Sequence, residues 1–147
     1  MGYYMTFITM DRRKVNLRDL RNHLKKTGDK YRVVWEGGEG LLYYAEKPYC
    51  RIEVVYRGKK GWKEQAETMD ECLELCNGMA KPRVERLLRD AQAMVVLQVH
   101  WGDRDLDSTL DRIYPVVDWL HANRTGLLRA DNEGFWNEKK IVLRETD

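Results

Sequence analysis

The stretch VHWGDRD, residues 99–105, sets the imidazole of His100 just ahead of two carboxylates, Asp103 and Asp105. Imidazole titrates near neutrality and a carboxylate can hold its tautomer, so the trio has the parts of a general base, or of a metal ligand with its orienting group. A small hydrolase centred on His100 would need more. No Ser or Cys presents itself as the nucleophile beside it, although His121 or Glu133 could approach in space. The competing reading is structural: Asp103, Asp105 and Asp107 stand where a helix begins, and carboxylates there accept backbone N–H bonds and complement the helix dipole. It gives every acid a task in the scaffold and is the reading preferred here.

The same acids imitate the first three calcium-ligand positions of an EF-hand loop. Ser108 stands where that loop requires glycine, however, and Tyr114 where it requires the bidentate glutamate, so the pattern fails. Gly37-Gly38-Glu39-Gly40 invites a phosphate-loop reading but leads into Leu41-Leu42-Tyr43-Tyr44, a strand pattern, and is read as a hairpin turn. Asp131-Asn132-Glu133-Gly134 is read as an acidic turn. Cys72 and Cys76, four apart, would share a helix face. With no second ligand pair at a zinc spacing, they are read as small core residues, and neither metal nor cofactor is expected.

Two surface features remain. Residues 1–32 carry nine Lys and Arg against three Asp, a local charge of +6 that leaves −4 on the rest of a chain whose net charge is +2. Four of those bases, Arg18, Arg21, Lys25 and Lys26, fall opposite the apolar positions Leu17, Leu20 and Leu24 of one helical segment. They could neutralise phosphates, although no RNP, zinc-finger or KH consensus accompanies them. The second feature is aromatic: five Trp, eight Tyr and two Phe, several near turns or strand ends. Trp101, Phe135 and Trp136, with Arg104, are the types that anchor protein interfaces.

The elements that must position these residues follow from periodicity. Residues 93–101 run nearly continuously apolar and β-branched, as a central strand covered on both faces does, so Gln98 and His100 point to one side and Val99 and Trp101 to the other. Residues 3–10 form a first strand, placed at an edge. They also fit the loose N-myristoylation pattern through Gly2 and Thr6, a reading set aside for the plain strand. Asn16 caps a helix that stops at Gly28. Strands at 31–35, 41–45 and 50–57 make a meander, with Lys47-Pro48-Tyr49 read as the last connection.

Thr68 and Glu71 have capping-box spacing, which predicts a helix over 69–77. Pro82 opens another, and Ser108 with Asp111 a third, kinked or divided at Pro115. Residues 127–130 and 135–143 complete the sheet as a terminal hairpin. Gly40-Leu41-Leu42 and Gly126-Leu127-Leu128 both open β-type runs, too short an echo to mark a duplication.

The order predicts one α+β domain over residues 1–147, a mixed, largely antiparallel sheet with helices packed on it in two or three layers. No apolar stretch reaches the roughly 20 residues of a membrane span, the opening MGYYMTFITM does not read as a secretory signal, and three cysteines without a disulfide framework suit a reducing compartment. The expectation is a non-enzymatic cytoplasmic interaction module of a bacterium or phage, binding a protein partner through Trp101, Arg104, Phe135 and Trp136. It is immunity- or inhibitor-like by analogy of fold only. Nucleic-acid binding through the basic helix and a hydrolase at His100 are the alternatives. No small-molecule ligand is identified.

Overall fold

A computed structural model describes residues 2–145. Among them eight strands, β1 (Tyr3–Thr9), β2 (Tyr31–Glu36), β3 (Glu39–Tyr44), β4 (Lys47–Tyr56), β5 (Ala93–Val99), β6 (Gly126–Ala130), β7 (Gly134–Asn137) and β8 (Lys140–Arg144), lie in one sheet. Their order is β2-β3-β4-β5-β1-β6-β7-β8, and every neighbouring pair is antiparallel. The helices are α1 (Leu17–Thr27), α2 (Trp62–Glu74), α3 (Lys81–Asp90) and α4 (Leu106–Asn123). The fold is α+β, with the sheet fully antiparallel rather than mixed.

Two apolar clusters fix the layers. Leu20 and Leu24 of α1 and Ile113, Val116, Val117 and Leu120 of α4 share one core with Met5, Phe7, Ile52, Val95, Leu97 and Val99 of the sheet. Met69, Cys72 and Leu73 of α2 and Val84 and Leu88 of α3 share the other with Ile8, Met94, Phe135 and Leu143. Alternation along β5 explains the split, since odd-numbered residues face α1 and α4 and even-numbered ones face the α2 and α3 side. The expected spine is therefore central, paired with β4 on one flank and β1 on the other.

That pairing corrects the expectation of an edge strand at 3–10. β1 runs between β5 and β6, and Thr6 and Thr9 are buried with its apolar residues. The threonines disguise a fully covered strand as a weakly alternating one. Thr9 earns its burial by hydrogen bonding, donating from Oγ1 to the Thr125 carbonyl at 2.7 Å and accepting the Asp11 N–H at 3.0 Å. Beside it β6 starts at Gly126, where a Cβ would come within 2.2 Å of the Ile8 carbonyl oxygen.

Several boundaries also move. Pro48 lies inside β4 opposite Tyr43, next to a register shift, and the β3–β4 turn is Ala45-Glu46, both at positive φ. Because β5 ends at Val99 opposite Cys50, Pro48 sits past the doubly paired part of the strand, where a missing N–H costs little. Helix α2 starts at Trp62, well before Thr68, whose hydroxyl bonds the Glu64 carbonyl from within the helix. The run Lys63-Glu64-Gln65-Ala66-Glu67 is built of good helix formers, and that propensity acts here without a side-chain cap.

Helix α4 is continuous through Pro115 rather than divided. In the turn that proline disturbs, the Tyr31 hydroxyl donates to the Arg112 carbonyl at 2.7 Å. Finally, 135–143 is two strands, broken at a turn where Glu138 takes a positive φ.

Candidate functional site

Of the two acids of VHWGDRD, one takes the scaffold task that the structural reading gives to both. Asp105 is the N-cap of α4: its Oδ1 accepts the Ser108 N–H at 2.7 Å, and its Oδ2 accepts the Ser108 hydroxyl at 2.9 Å. The Ser108 amide and then its hydroxyl hold the Asp105 carboxyl below the usual carboxylate range. Asp103 is exposed. The His100 ring, half-buried at the end of β5, makes no hydrogen bond or ion pair among the described residues.

Neither expected helper completes a centre there. His121 lies in the last turn of α4, its ring edge-on to Phe7 with centroids 5.0 Å apart, and Glu133 is bonded to Tyr3. Among the described residues no carboxylate bonds the His100 ring in the orienting position that a hydrolase requires. Among the described residues no group of three or more His, Cys, Asp and Glu side chains is arranged to hold a metal ion.

The four expected interface residues come apart. Phe135 is fully buried between the sheet and the α2 and α3 layer, so its ring meets no partner. Arg104 is a staple: its Nη2 donates to the carbonyls of His100 at 2.6 Å and Pro48 at 2.8 Å, and its guanidinium stacks 3.8 Å from the Tyr49 ring centroid. That arrangement ties the start of α4 to β4 and β5 and leaves the guanidinium little to offer outside. Trp101 packs partly against the α1 and α4 core. It also borders a shallow polar recess with Gln98 and His100, and Trp136 lines a cleft with an apolar floor.

The cysteines are core residues, with Cys50, Cys72 and Cys76 all buried and unpaired. Burial pushes the Cys72 thiol up to about 11 and moves the other two the same way. None is a thiolate nucleophile at neutral pH.

The basic helix is as the sequence describes it. Arg18, Lys25 and Lys26 are exposed, Arg21 is half-buried with its Nε orphaned, and none of the four makes an ion pair among the described residues. Helix α1 packs beside α4 on the same sheet face. The outward side of α4 carries the opposite charge: Asp107, Asp111, Tyr114 and Asp118, spaced four, three and four apart, form a single exposed stripe.

The foot of that stripe opens into a cleft of about 380 Å³ between α4, β1, β6 and β7. Met5, Val117, Leu128 and Ala130, all buried, make its floor. Tyr3, Tyr114 and Trp136 supply aromatic walls, and Glu133, Asp118, Glu138 and Lys139 the polar lining. The turn that delivers Glu133 is pinned on both sides. The Asp131 N–H donates to the Tyr4 carbonyl, the Tyr4 N–H to Asp131 Oδ2, and the Glu145 N–H to the Glu133 carbonyl. Gly134, at φ 128°, closes it where a Cβ would meet the Leu143 carbonyl at 2.1 Å.

So held, Glu133 Oε2 accepts the Tyr3 hydroxyl at 2.5 Å. Burial first, then this bond and the Glu133 charge, pushes the Tyr3 phenol up. Tyr114 moves the same way, through burial and then the charges of Glu133, Asp111 and Asp107. The cleft is thus a region of negative potential walled by aromatic rings. Of this lining, sequence reading singled out Trp136 but not Tyr114, Asp118 or Glu138. The four-three-four spacing on α4 was the available signal for two of them. The chain matches no protein-family model, and comparison with curated proteins and with solved structures gives no match in either.

Proposed function

We propose that this chain is a non-enzymatic interaction module that takes a protein partner on the acidic side of its α1 and α4 layer. The observation that carries the reading is the stripe Asp107, Asp111, Tyr114 and Asp118, which runs into the aromatic cleft with no carboxylate paired among the described residues. Unpaired like charges on one helix face repel one another, and a basic partner relieves that repulsion while steering itself to the site. Tyr114 and Trp136 add amphipathic contact area of the kind that anchors interfaces. No helix among the described residues is long and apolar enough to cross a membrane. A reducing cytoplasmic setting fits the three free cysteines and belongs to the same proposal.

The test starts from the complex isolated from the native host, with its components identified and then reconstituted from purified material. The pair Asp107→Lys and Asp111→Lys weakens that complex about tenfold or more, a change of roughly 1.4 kcal/mol. The pair Arg18→Glu and Lys25→Glu leaves it within about twofold. Capture that is nuclease-sensitive, falls steeply with salt and is lost in the Arg18 and Lys25 pair would replace this reading with nucleic-acid binding through α1.

A further inference from the structure

We propose that the cleft beneath α4 is a binding site for an alkylammonium group, carried on a lysine side chain of the partner; the choice of source rests on the function proposed above, the chemistry of the site does not. Three observations converge on it. The floor is apolar and buried, as a methylene stem requires. The walls are the rings of Tyr3, Tyr114 and Trp136, whose faces attract a cation. The polar lining holds three carboxylates, of Asp118, Glu133 and Glu138, against one cation, Lys139.

None of those carboxylates is neutralised from within. Asp118 and Glu138 make no hydrogen bond or ion pair among the described residues, and Glu133 uses only Oε2, on the Tyr3 hydroxyl, leaving Oε1 for a donor from outside. Lys139 is exposed and pairs with none of the three. An ammonium head offers three donors and a charge to carboxylates that hold neither, while its stem covers the floor. An anion would meet three like charges, and a neutral apolar ligand would leave the carboxylates beside a desolvated wall.

The experiment uses the intact chain, labelled for NMR, and titrates Nα-acetyl-lysine methylamide, 1,4-diaminobutane and the uncharged Nα-acetyl-norleucine methylamide. Saturable shifts at Tyr114, Asp118, Glu133 and the Trp136 indole are expected with the two amines and not with the norleucine compound. Stronger binding of the lysine compound identifies a side chain as the natural source, and stronger binding of the diamine a free amine. Asp118→Asn with Glu138→Gln, both at exposed positions, weakens amine binding about tenfold, and Lys139→Gln strengthens it.

No saturable shift with either amine, or equal shifts with the norleucine compound, would overturn the site. The two proposals fail separately. If the amines do not bind while the Asp107 and Asp111 reversals still break the complex, this inference falls alone. If they bind here but the complex depends on Arg18 and Lys25 instead, the function proposed above falls and the site remains.

Discussion

Helices α1 and α4 share a layer, a sheet face and a core, and they carry opposite charge to solvent. Their inner faces are alike: Leu20 and Leu24 anchor one, Ile113 and Leu120 the other, all at or near zero exposure. Their outer faces differ in more than sign. The bases of α1 are exposed, Arg21 apart, and none of them lines the α4 cleft. The acids of α4 run down to an aromatic cleft, because α4 lies over β1, β6 and β7, where the 131–134 turn brings Glu133 up beside Tyr3. Both helices offer charge, and α4 alone of the two adds this aromatic cleft to it, which is why the proposed site is placed there.

The largest effect tests the likeness of the inner faces. Leu24→Ala and Leu120→Ala should each cost about 2–5 kcal/mol in chemical denaturation, since both side chains are fully buried. A nearly neutral Leu24→Ala would mean that α1 is not firmly seated, and the comparison of two fixed surfaces would break.

A smaller effect concerns how α4 is aimed. Arg104→Ala should cost about 1.5–3 kcal/mol through its lost charged hydrogen bonds, whereas His100→Ala should stay within about 0.5 kcal/mol. Equal losses from the two would give His100 a structural or chemical role that its contacts do not show.

The caps sharpen the contrast most gently. Helix α1 is capped by Asn16, whose Oδ1 accepts from the N–H groups of Arg18 and Asp19, and Asn16→Ala should cost about 1 kcal/mol at any pH. Helix α4 is capped by the carboxylate of Asp105, which its Ser108 bonds hold below the usual range. A depressed folded pKa gives stability that is fully present above the unfolded value, near ~3.9, and is lost as pH falls through the lower folded value. The protection of the Ser108 amide, its exchange measured against the intrinsic rate at each pH, should therefore fall in acid while that of Asp19 does not. Matching acid sensitivity at both caps would show that the Asp105 carboxylate is not what holds the turn.

How far the sequence could be read depends on how local the determining physics was. The β5 spine, the Asn16 cap, the Gly37-Gly38 hairpin and Pro82 in the first turn of α3 all rest on nearest-neighbour chemistry and are where the pattern puts them. The centrality of β1 could not be read this way, because buried Thr6 and Thr9 look polar until their distant partners are known. Ala45, Glu46 and Glu138 turn the chain with positive φ and carry no glycine to announce it. The cleft was the least legible. It joins Tyr3, Tyr114 and the pair Glu133 and Trp136 from three parts of the chain, and only the α4 stripe left a periodic trace. Phe135 and Arg104 show the converse error, since both have interface chemistry that the fold spends on its own interior.

The central claim is that α4 with its cleft, and not α1, is the binding surface. Shift mapping with two probes of opposite charge tests it on one sample: a short lysine-containing peptide with blocked ends, and a single-stranded oligothymidylate. The account predicts that the peptide moves Asp111, Tyr114, Asp118 and Trp136 in a saturable way, while the oligonucleotide gives only weak, salt-erased shifts along Arg18, Arg21 and Lys25. Saturable oligonucleotide shifts along α1, with the α4 resonances unmoved by the peptide, would contradict it.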